Sequence, residues 1–358
     1  MSKIVSIGTA VPSFCHQQMD ILQFMQLVYA GSDAERRKLR FMYSQSGIQQ
    51  RYSVIGDYSK PVHDWKFYPQ SENLEPFPSL EQRMTLFNKY APQLSVDAIR
   101  DSLNSVHSHK EVTHLITVSC TGMSAPGLDL QVMELMDFGK NIFRTSVNFM
   151  GCYAALHALK LADAICKAEK GAQVVIVCTE LCTLHFQREG TLDNITSSLL
   201  FGDGSAALLI TGNESDLPGL YIDGFYSEII AKGKRDMAWE LSSSGFLMTL
   251  SGYVPELIEE DFKAIVQRAI GSEQIEDISH WCMHPGGKRI LEAVSKSTGI
   301  ENEAFKHSYN VLQQYGNLSS ASIVFVLKEV LQQKTAIPKL FGAAFGPGLT
   351  VETFTAHR

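Results

Sequence analysis

Cys152 lies between a β-prone run, Val147-Asn-Phe-Met-Gly151, and a helical pattern from Tyr153 to Ala168. In that pattern Leu156, Leu159 and Ile165 form an apolar stripe, and Ala154, Ala155, Ala158 and Ala164 keep the surface small. It stops at Lys167-Ala-Glu-Lys-Gly171, with cations in the last turn and a glycine after them. A thiol at a strand-to-helix junction sits where the first helical amides and the helix dipole favour an anion, which predicts a lowered pKa and a nucleophile. The competing reading is a buried, inert cysteine that packs as a small hydrophobe.

A cysteine nucleophile needs a base or counter-cation and donors for a developing oxyanion. Of the eleven histidines, His284 ends an apolar strand, Ser279-His-Trp-Cys-Met-His284, and opens directly into Pro285-Gly286-Gly287. Strand ends that open into glycine-rich turns are where α/β sheets present reactive groups. The alternative for His284 is a satisfied histidine at a strand edge. Asn317, in Tyr315-Gly-Asn317-Leu-Ser-Ser-Ala321, brings an amide that can donate to an oxyanion or simply cap the helix that follows.

Cys, His and Asn in that order also describe papain-like proteases. Here the cysteine is mid-chain and no Cys-Gly-Ser-Cys-Trp surrounds it. Cys178 with Cys182, and Cys282 with His284, each lack the second half of a zinc set, so no metal site is expected. Gly202-Asp-Gly204 and Gly346-Pro-Gly348 are lone turns without a following phosphate-loop lysine, and they do not make a nucleotide site.

The elements that must position these groups alternate along the chain. Strands are expected at 3–12, 113–120, 142–149, 173–178, 203–210, 221–230 and 280–283, with two more around the Gly-Pro-Gly turn at 341–354. Helices are expected at 16–29, 34–44, 80–104, 129–136, 153–168, 254–269, 288–297 and 321–331, with Pro92 bending or splitting the third. Gly47 to Tyr68 reads as an irregular arm, and 72–79 as a turn leading into a helix. Strand and helix alternate in both halves, so the fold class is α/β. The polar stretch Gly212 to Gly219 marks the boundary between residues 1–212, which carry the cysteine, and 213–358, which carry the histidine and asparagine.

A chain of 358 residues with 45% hydrophobic content can bury a large core. Its formal charge of −7 argues against nucleic acid or an anionic membrane as a partner. No apolar run reaches the length of a membrane span, and Met1-Ser-Lys does not open a signal peptide. Seven cysteines at irregular spacing do not form a disulfide framework. These features predict a cytoplasmic protein, in which the sequons at Asn194, Asn213 and Asn317 carry no meaning.

Six segments, in order, resemble the type III polyketide synthases, the chalcone-synthase-like family. They are Cys120-Thr-Gly-Met-Ser-Ala-Pro-Gly-Leu-Asp129, Met150-Gly-Cys152-Tyr-Ala, Leu200-Phe201-Gly-Asp-Gly204, Trp281-Cys-Met-His284-Pro-Gly-Gly287, Tyr315-Gly-Asn317-Leu-Ser-Ser-Ala321 and Phe345-Gly-Pro-Gly-Leu-Thr-Val-Glu-Thr353. The resemblance implies a thiolase-like fold, with two similar αβαβα halves forming a five-layered core, and a homodimer. It implies acyl-CoA and malonyl-CoA as substrates, and no resident cofactor. The acyl chain would be held on Cys152. His284 would pair with its thiolate, and with Asn317 would stabilise the enolate from malonyl decarboxylation.

The same resemblance makes Phe201 a gatekeeper, with Met248 at the second gatekeeper's place. Cys120, Cys182, His185, Trp239 and Ser319 would line the substrate cavity. Gly286, Gly287 and the run Phe345, Gly346, Pro347, Gly348 would complete the binding region. Met248, Trp239, Ala125 and a short loop after Phe186 depart from plant members, and Glu180-Leu-Cys-Thr-Leu-His-Phe-Gln187 and Met237-Ala-Trp-Glu240 resemble bacterial ones. A resorcinol, phloroglucinol or pyrone product is therefore expected instead of a chalcone. The nearest alternative is an initiating ketoacyl-carrier-protein synthase, which also uses Cys, His and Asn. A non-catalytic relative kept as a scaffold is the alternative outside enzymes.

Overall fold

The run Gln173–Leu181 is apolar almost throughout because both faces of the strand are buried. Val174, Ile176 and Cys178 enter one hydrophobic cluster, and Val175 and Val177 enter another. This two-faced burial organises the computed structural model, which describes residues 1–71, 73–104, 108–333 and 335–358.

In chain order the first half contains β1 (Ser2–Ala10), β2 (Phe14–Gln17), α1 (Gln18–Tyr29), α2 (Asp33–Gln45), β3 (Gln50–Ser53), α3 (Leu80–Leu103) and β4 (His114–Ser119). It continues with α4 (Leu128–Leu135), β5 (Phe143–Asn148), α5 (Ala154–Ala168), β6 (Gln173–Leu181), α6 (Leu192–Leu200) and β7 (Asp203–Gly212). The second half contains β8 (Leu220–Ile229), β9 (Met237–Ser242), β10 (Gly245–Leu250), α7 (Val254–Ile270), β11 (His280–Met283) and α8 (Lys288–Thr298). α9 (Lys306–Tyr315), α10 (Ser322–Gln332), β12 (Leu340–Gly346) and β13 (Thr350–His357) complete it.

The main sheet has the order β11-β12-β13-β8-β1-β7-β6-β4-β5. β1 and β8 join the two halves through the pairs Lys3–Tyr221 and Ile4–Leu220. Outward from β1 come antiparallel β7, antiparallel β6, parallel β4 and parallel β5. Outward from β8 come antiparallel β13, antiparallel β12 and parallel β11. The halves therefore repeat one topology. One cluster joins Ala154, Ala155 and Ala158 of α5 and Ile323, Val324 and Val326 of α10 to one face of both sets of strands. The outer faces carry α3 on one side, and α7 and α8 on the other. This is the α-β-α-β-α layering of a thiolase-like core.

Several sequence expectations are corrected. His16 lies in β2, paired with Arg51 of β3, and the helix begins only at Gln18. Gly47 to Tyr68 is therefore not wholly irregular. Pro92 does not split α3, which runs unbroken from its Ser79–Gln82 capping box. Ala91, Leu94, Ala98 and Ile99 are buried on either side of the proline, and this packing outweighs the lost hydrogen bond. α6, α9 and the β9–β10 hairpin were not foreseen. Glu72, the first residue of the expected turn, lies outside the described residues.

α3 approaches β1 so closely that a β-carbon on Gly8 would lie 2.1 Å from the Ala98 carbonyl oxygen and 2.2 Å from the Ser102 nitrogen. Both obstacles are backbone, so relief requires moving a helix. Gly8→Ala is expected to cost at least about 1–3 kcal/mol, read as a lower Tm by calorimetry. An unchanged Tm would show that the two elements can separate freely.

Candidate active site

The turn from β5 into α5 places Cys152. Phe149 and Gly151 both adopt positive φ, +61° and +81°. The Gly151 amide donates to Cys120 Sγ at 2.9 Å. A β-carbon on Gly151 would lie 2.1 Å from Pro347 Cδ, so only glycine lets this turn rest against the β12–β13 turn. Cys152 is buried, with its Sγ 3.7 Å from Ser319 Oγ. Burial pushes the thiol up to about 12 and the Glu180 carboxylate adds to this, while hydrogen bonds from Ser319 and Asn317 oppose it. Desolvation is the largest influence on this thiol.

His284 follows β11, and its amide donates to the Ala343 oxygen at 2.8 Å, extending the pairing with β12. The side chain is 1% exposed, and among the described residues neither ring nitrogen has a hydrogen-bond partner. It is not the satisfied strand-edge histidine considered above. Burial pulls its pKa down to about 3, so burial alone favours the neutral ring.

Asn317 is held through its backbone: its amide donates to Leu200 O and its carbonyl accepts from Gly202 N, both at 2.9 Å. Its side-chain oxygen accepts from Ser319 N at 2.8 Å and from Ser322 Oγ at 3.4 Å. That assignment leaves Nδ2 as the outward group, with one bond to Gly286 O at 3.3 Å. The capping alternative fails, because the N-cap of α10 is Ala321.

Cys152, His284 and Asn317 line one cavity, together with Phe201, Met248, Gly286, Gly287 and Phe345. A second cavity, about 930 Å³ including its opening, is lined by Cys120, Cys182, His185, Trp239, Ser319 and Pro347. Cys152, Phe201, Met237 and Met248 line both, so the thiol sits where the two spaces meet. Gly346 and Gly348 line neither. They shape the turn that carries Pro347 and are corrected from wall to support. Met237, opposite Leu250 in the β9–β10 hairpin, was missed as a wall residue because the hairpin itself was not foreseen.

The second cavity, the inner one of the two, has an aromatic wall held by stacking and hydrogen bonds. His185 stacks on Phe246 with ring centroids 4.1 Å apart and planes 7° from parallel. Its Nδ1 accepts from Phe246 N at 3.1 Å, so its Nε2–H donates to Thr121 O at 2.7 Å. Burial pulls its pKa down to about 3 as well. Trp239 Nε1 donates to Cys120 O at 2.7 Å.

Glu180, at the end of β6, has no exposed surface. Its carboxylate accepts from Cys120 N and Thr121 Oγ1, both at 2.9 Å, and from Ser320 Oγ. One side chain thus ties the segment under the Cys152 turn to the segment after Asn317. The signal available in sequence was an acid closing an otherwise apolar strand.

A duplicated core that encloses two helices between its sheets, with a thiol at the start of one of them, defines the thiolase-like acyltransferases. Within that class, the family model for the chalcone and stilbene synthases, N-terminal domain, matches residues 1–214, and its C-terminal counterpart matches 224–358. The chain belongs to this family: it is a type III polyketide synthase, an acyltransferase that condenses malonyl-CoA units.

Among its relatives is the "Alpha-pyrone synthesis polyketide synthase-like Pks18" of Mycobacterium tuberculosis, 32% identical over 98% of this chain and 89% of that protein. "Probable polyketide synthase 1" of Dictyostelium discoideum is 28% identical over 98% of this chain, which spans 11% of that longer protein. The crystal structure of the C-terminal type III polyketide synthase domain of Steely1, a Dictyostelium type I/III hybrid, superposes with TM-score 0.91. It shares 27% identity and covers 100% of this chain and 99% of that one.

Burial raises the Glu180 carboxyl to about 7. The native state therefore keeps its proton at pH values where the unfolded chain has lost it, and this group costs stability as pH rises from the ordinary carboxylate range through about 7. Glu180→Gln removes that dependence. Its Tm relative to wild type should rise as pH increases from about 5 to about 7.5. The buried histidines contribute equally to both proteins and cancel. A difference independent of pH would contradict the shift.

Proposed function

We propose that Cys152 carries the acyl chain, and that His284 and Asn317 carry out decarboxylation beside it. The shared cavity of the three side chains is the observation on which this rests. In loading, the Cys152 proton passes to His284 and the thiolate attacks an acyl-CoA carbonyl. The C–S bond to CoA breaks, and the leaving thiolate takes the proton back. Malonyl-CoA then loses CO₂. The electron pair of the broken C–C bond becomes an enolate, whose oxygen accepts from His284 N–H and Asn317 Nδ2–H. The enolate carbon attacks the Cys152 thioester and expels the Cys152 thiolate, leaving the lengthened chain as a β-ketoacyl-CoA. This is reloaded onto Cys152 with release of CoA for another cycle.

Cyclisation of the released or tethered chain to a pyrone, resorcinol or phloroglucinol completes the reaction. A relative named for α-pyrone synthesis supports the first of these. Lys288 and Arg289 line the same cavity as Cys152, and although they pair with Glu292 and Glu256, they are cations that suit the phosphates of CoA. CoA thioesters are substrates in this scheme, and no resident cofactor takes part.

Residues 1–212 and 213–358 are read as the two units, one carrying the nucleophile and the other its partners. A homodimer is the proposed assembly. β5 is an edge strand paired only with β4, its side chains are mostly exposed, and Phe143 is 66% exposed. Among the described residues no helix is long and apolar enough to cross a membrane, and a cytoplasmic location is proposed.

Cys152→Ala should abolish acyl-enzyme formation, measured by intact mass, while CO₂ release from malonyl-CoA persists. Asn317→Ala should slow that release by about 10²–10³ through loss of one oxyanion donor. Unchanged release would remove Asn317 from this role. A wild-type enzyme that turns over only carrier-bound malonyl would establish the carrier-protein alternative.

Alkylation by iodoacetamide tests the Cys152–His284 pair. Wild-type labelling should begin below the free-thiol value of about 8.5. In His284→Gln, burial acts without a counter-cation, so labelling should move to strongly alkaline pH. Identical profiles would exclude the ion pair.

A further inference from the structure

Among the described residues, two that line the inner cavity carry a buried polar atom with no hydrogen-bond partner. They are Arg51 of β3 and Ser197 of α6, and Arg51 is only 4% exposed. Arg51 Nε donates to Gln18 Oε1 at 2.9 Å and its Nη1 donates to Phe201 O at 2.5 Å, but Nη2 has no hydrogen-bond partner among the described residues. Ser197 Oγ is also buried and unpartnered. Neighbouring polar groups are already engaged. The Tyr43 hydroxyl interacts with the Arg51 guanidinium and lies 3.4 Å from Ser198 Oγ. Ser198 Oγ donates to Ile195 O at 2.8 Å, and Asn194 Nδ2 donates to Glu189 O at 2.9 Å.

Among the described residues no carboxylate pairs with Arg51. Asp203, the acid in its electrostatic surroundings, is taken up by Val54 N at 2.9 Å and by Thr183 N and Oγ1 at 2.8 and 2.7 Å. A buried guanidinium stays charged, and a desolvated cation without its full set of acceptors is costly. The lining of the same cavity also includes the apolar side chains of Ile21, Met25 and Phe186. A ligand that brings an oxygen to this corner and hydrocarbon to the rest would satisfy both.

We propose that Arg51 and Ser197 form an oxygen-recognising subsite for the acyl chain tethered to Cys152. The subsite would select chains with a hydroxyl, carbonyl or carboxylate oxygen remote from the thioester. The inference rests on the polyketide synthase reading of the cavity and adds a specificity determinant to it. Such an oxygen has two possible sources: the starter's own distal group, or a β-keto oxygen added by extension.

Ser197→Ala removes one donor and leaves a good helix former. Arg51→Lys keeps the charge but loses the fork, and serves as the second variant because Arg51 also holds Phe201. Each is assayed with malonyl-CoA and two length-matched starters, a plain alkanoyl-CoA and one ending in a hydroxyl or carboxyl group. The readouts are the ratio of kcat/KM between starters and the number of extensions on the plain one. For Ser197→Ala the ratio should fall by about three- to tenfold, the worth of one neutral hydrogen bond. That result identifies the starter's oxygen. Shorter products from the plain starter, with the ratio unmoved, identify the β-keto oxygen. If both variants keep wild-type ratios and product lengths, the subsite does not exist. A wild-type enzyme that makes no ketide from any starter overturns the underlying reading as well.

Discussion

Gly151 rests on Pro347 with no room for a β-carbon, and the geometry of the site depends on that contact. Gly151 belongs to the turn that presents the nucleophile, and Pro347 to the β12–β13 turn of the other half. Each turn belongs to its own half of the molecule. Cys152, His284 and Asn317 share a cavity because the β1–β8 pairing and this contact hold the two halves in one register. The Glu180 carboxylate braces the same junction from below, joining Cys120 and Thr121 to Ser320. Asn317 closes it from the side through backbone bonds to Leu200 and Gly202.

Enclosing the site has an electrostatic consequence. Burial drives the Cys152 thiol and the His284 imidazole each toward its neutral form, because neither charge alone has water to solvate it. A proton moving between them creates two opposite charges at once, and their attraction in the same dry space offsets the cost. In the proposed scheme the two groups therefore act as a pair. Asn317 needs no charge to act: fixing its oxygen on Ser319 N leaves its amide hydrogens as preset donors, which is what a developing enolate requires. The same enclosure leaves Arg51 and Ser197 with unmet hydrogen-bonding capacity in the inner cavity.

The parts of the fold that were legible in sequence are those whose periodicity reports burial directly. β6 is buried on both faces and reads as an apolar run, and α5 reads as an alanine-rich helix with an apolar stripe. The parts that were not legible are stabilised by something other than their own pattern. α6 is rich in Ser, Thr and Asn, and rests on the Thr191 cap and its packing against β10. The β9–β10 hairpin turns at Ser243-Ser244, which carries no Asn-Gly signal. Pro92 illustrates the reverse, a strong local signal overruled by the buried surface around it.

By itself the sequence determined the residue types available for chemistry, the strand or helix end on which each stands, and, through six ordered motifs, the family. Those properties are local, because a strand end or a helix start is specified by its immediate neighbours. The tertiary structure alone decided that Cys152, His284 and Asn317 share one cavity, that Met237 joins Phe201 and Met248 at its junction with a second, and that Gly346 and Gly348 only support the wall. It also buried the Cys152 thiol, and that burial pushes its pKa up. Desolvation depends on everything packed around a group, and residues distant in sequence supply most of that packing.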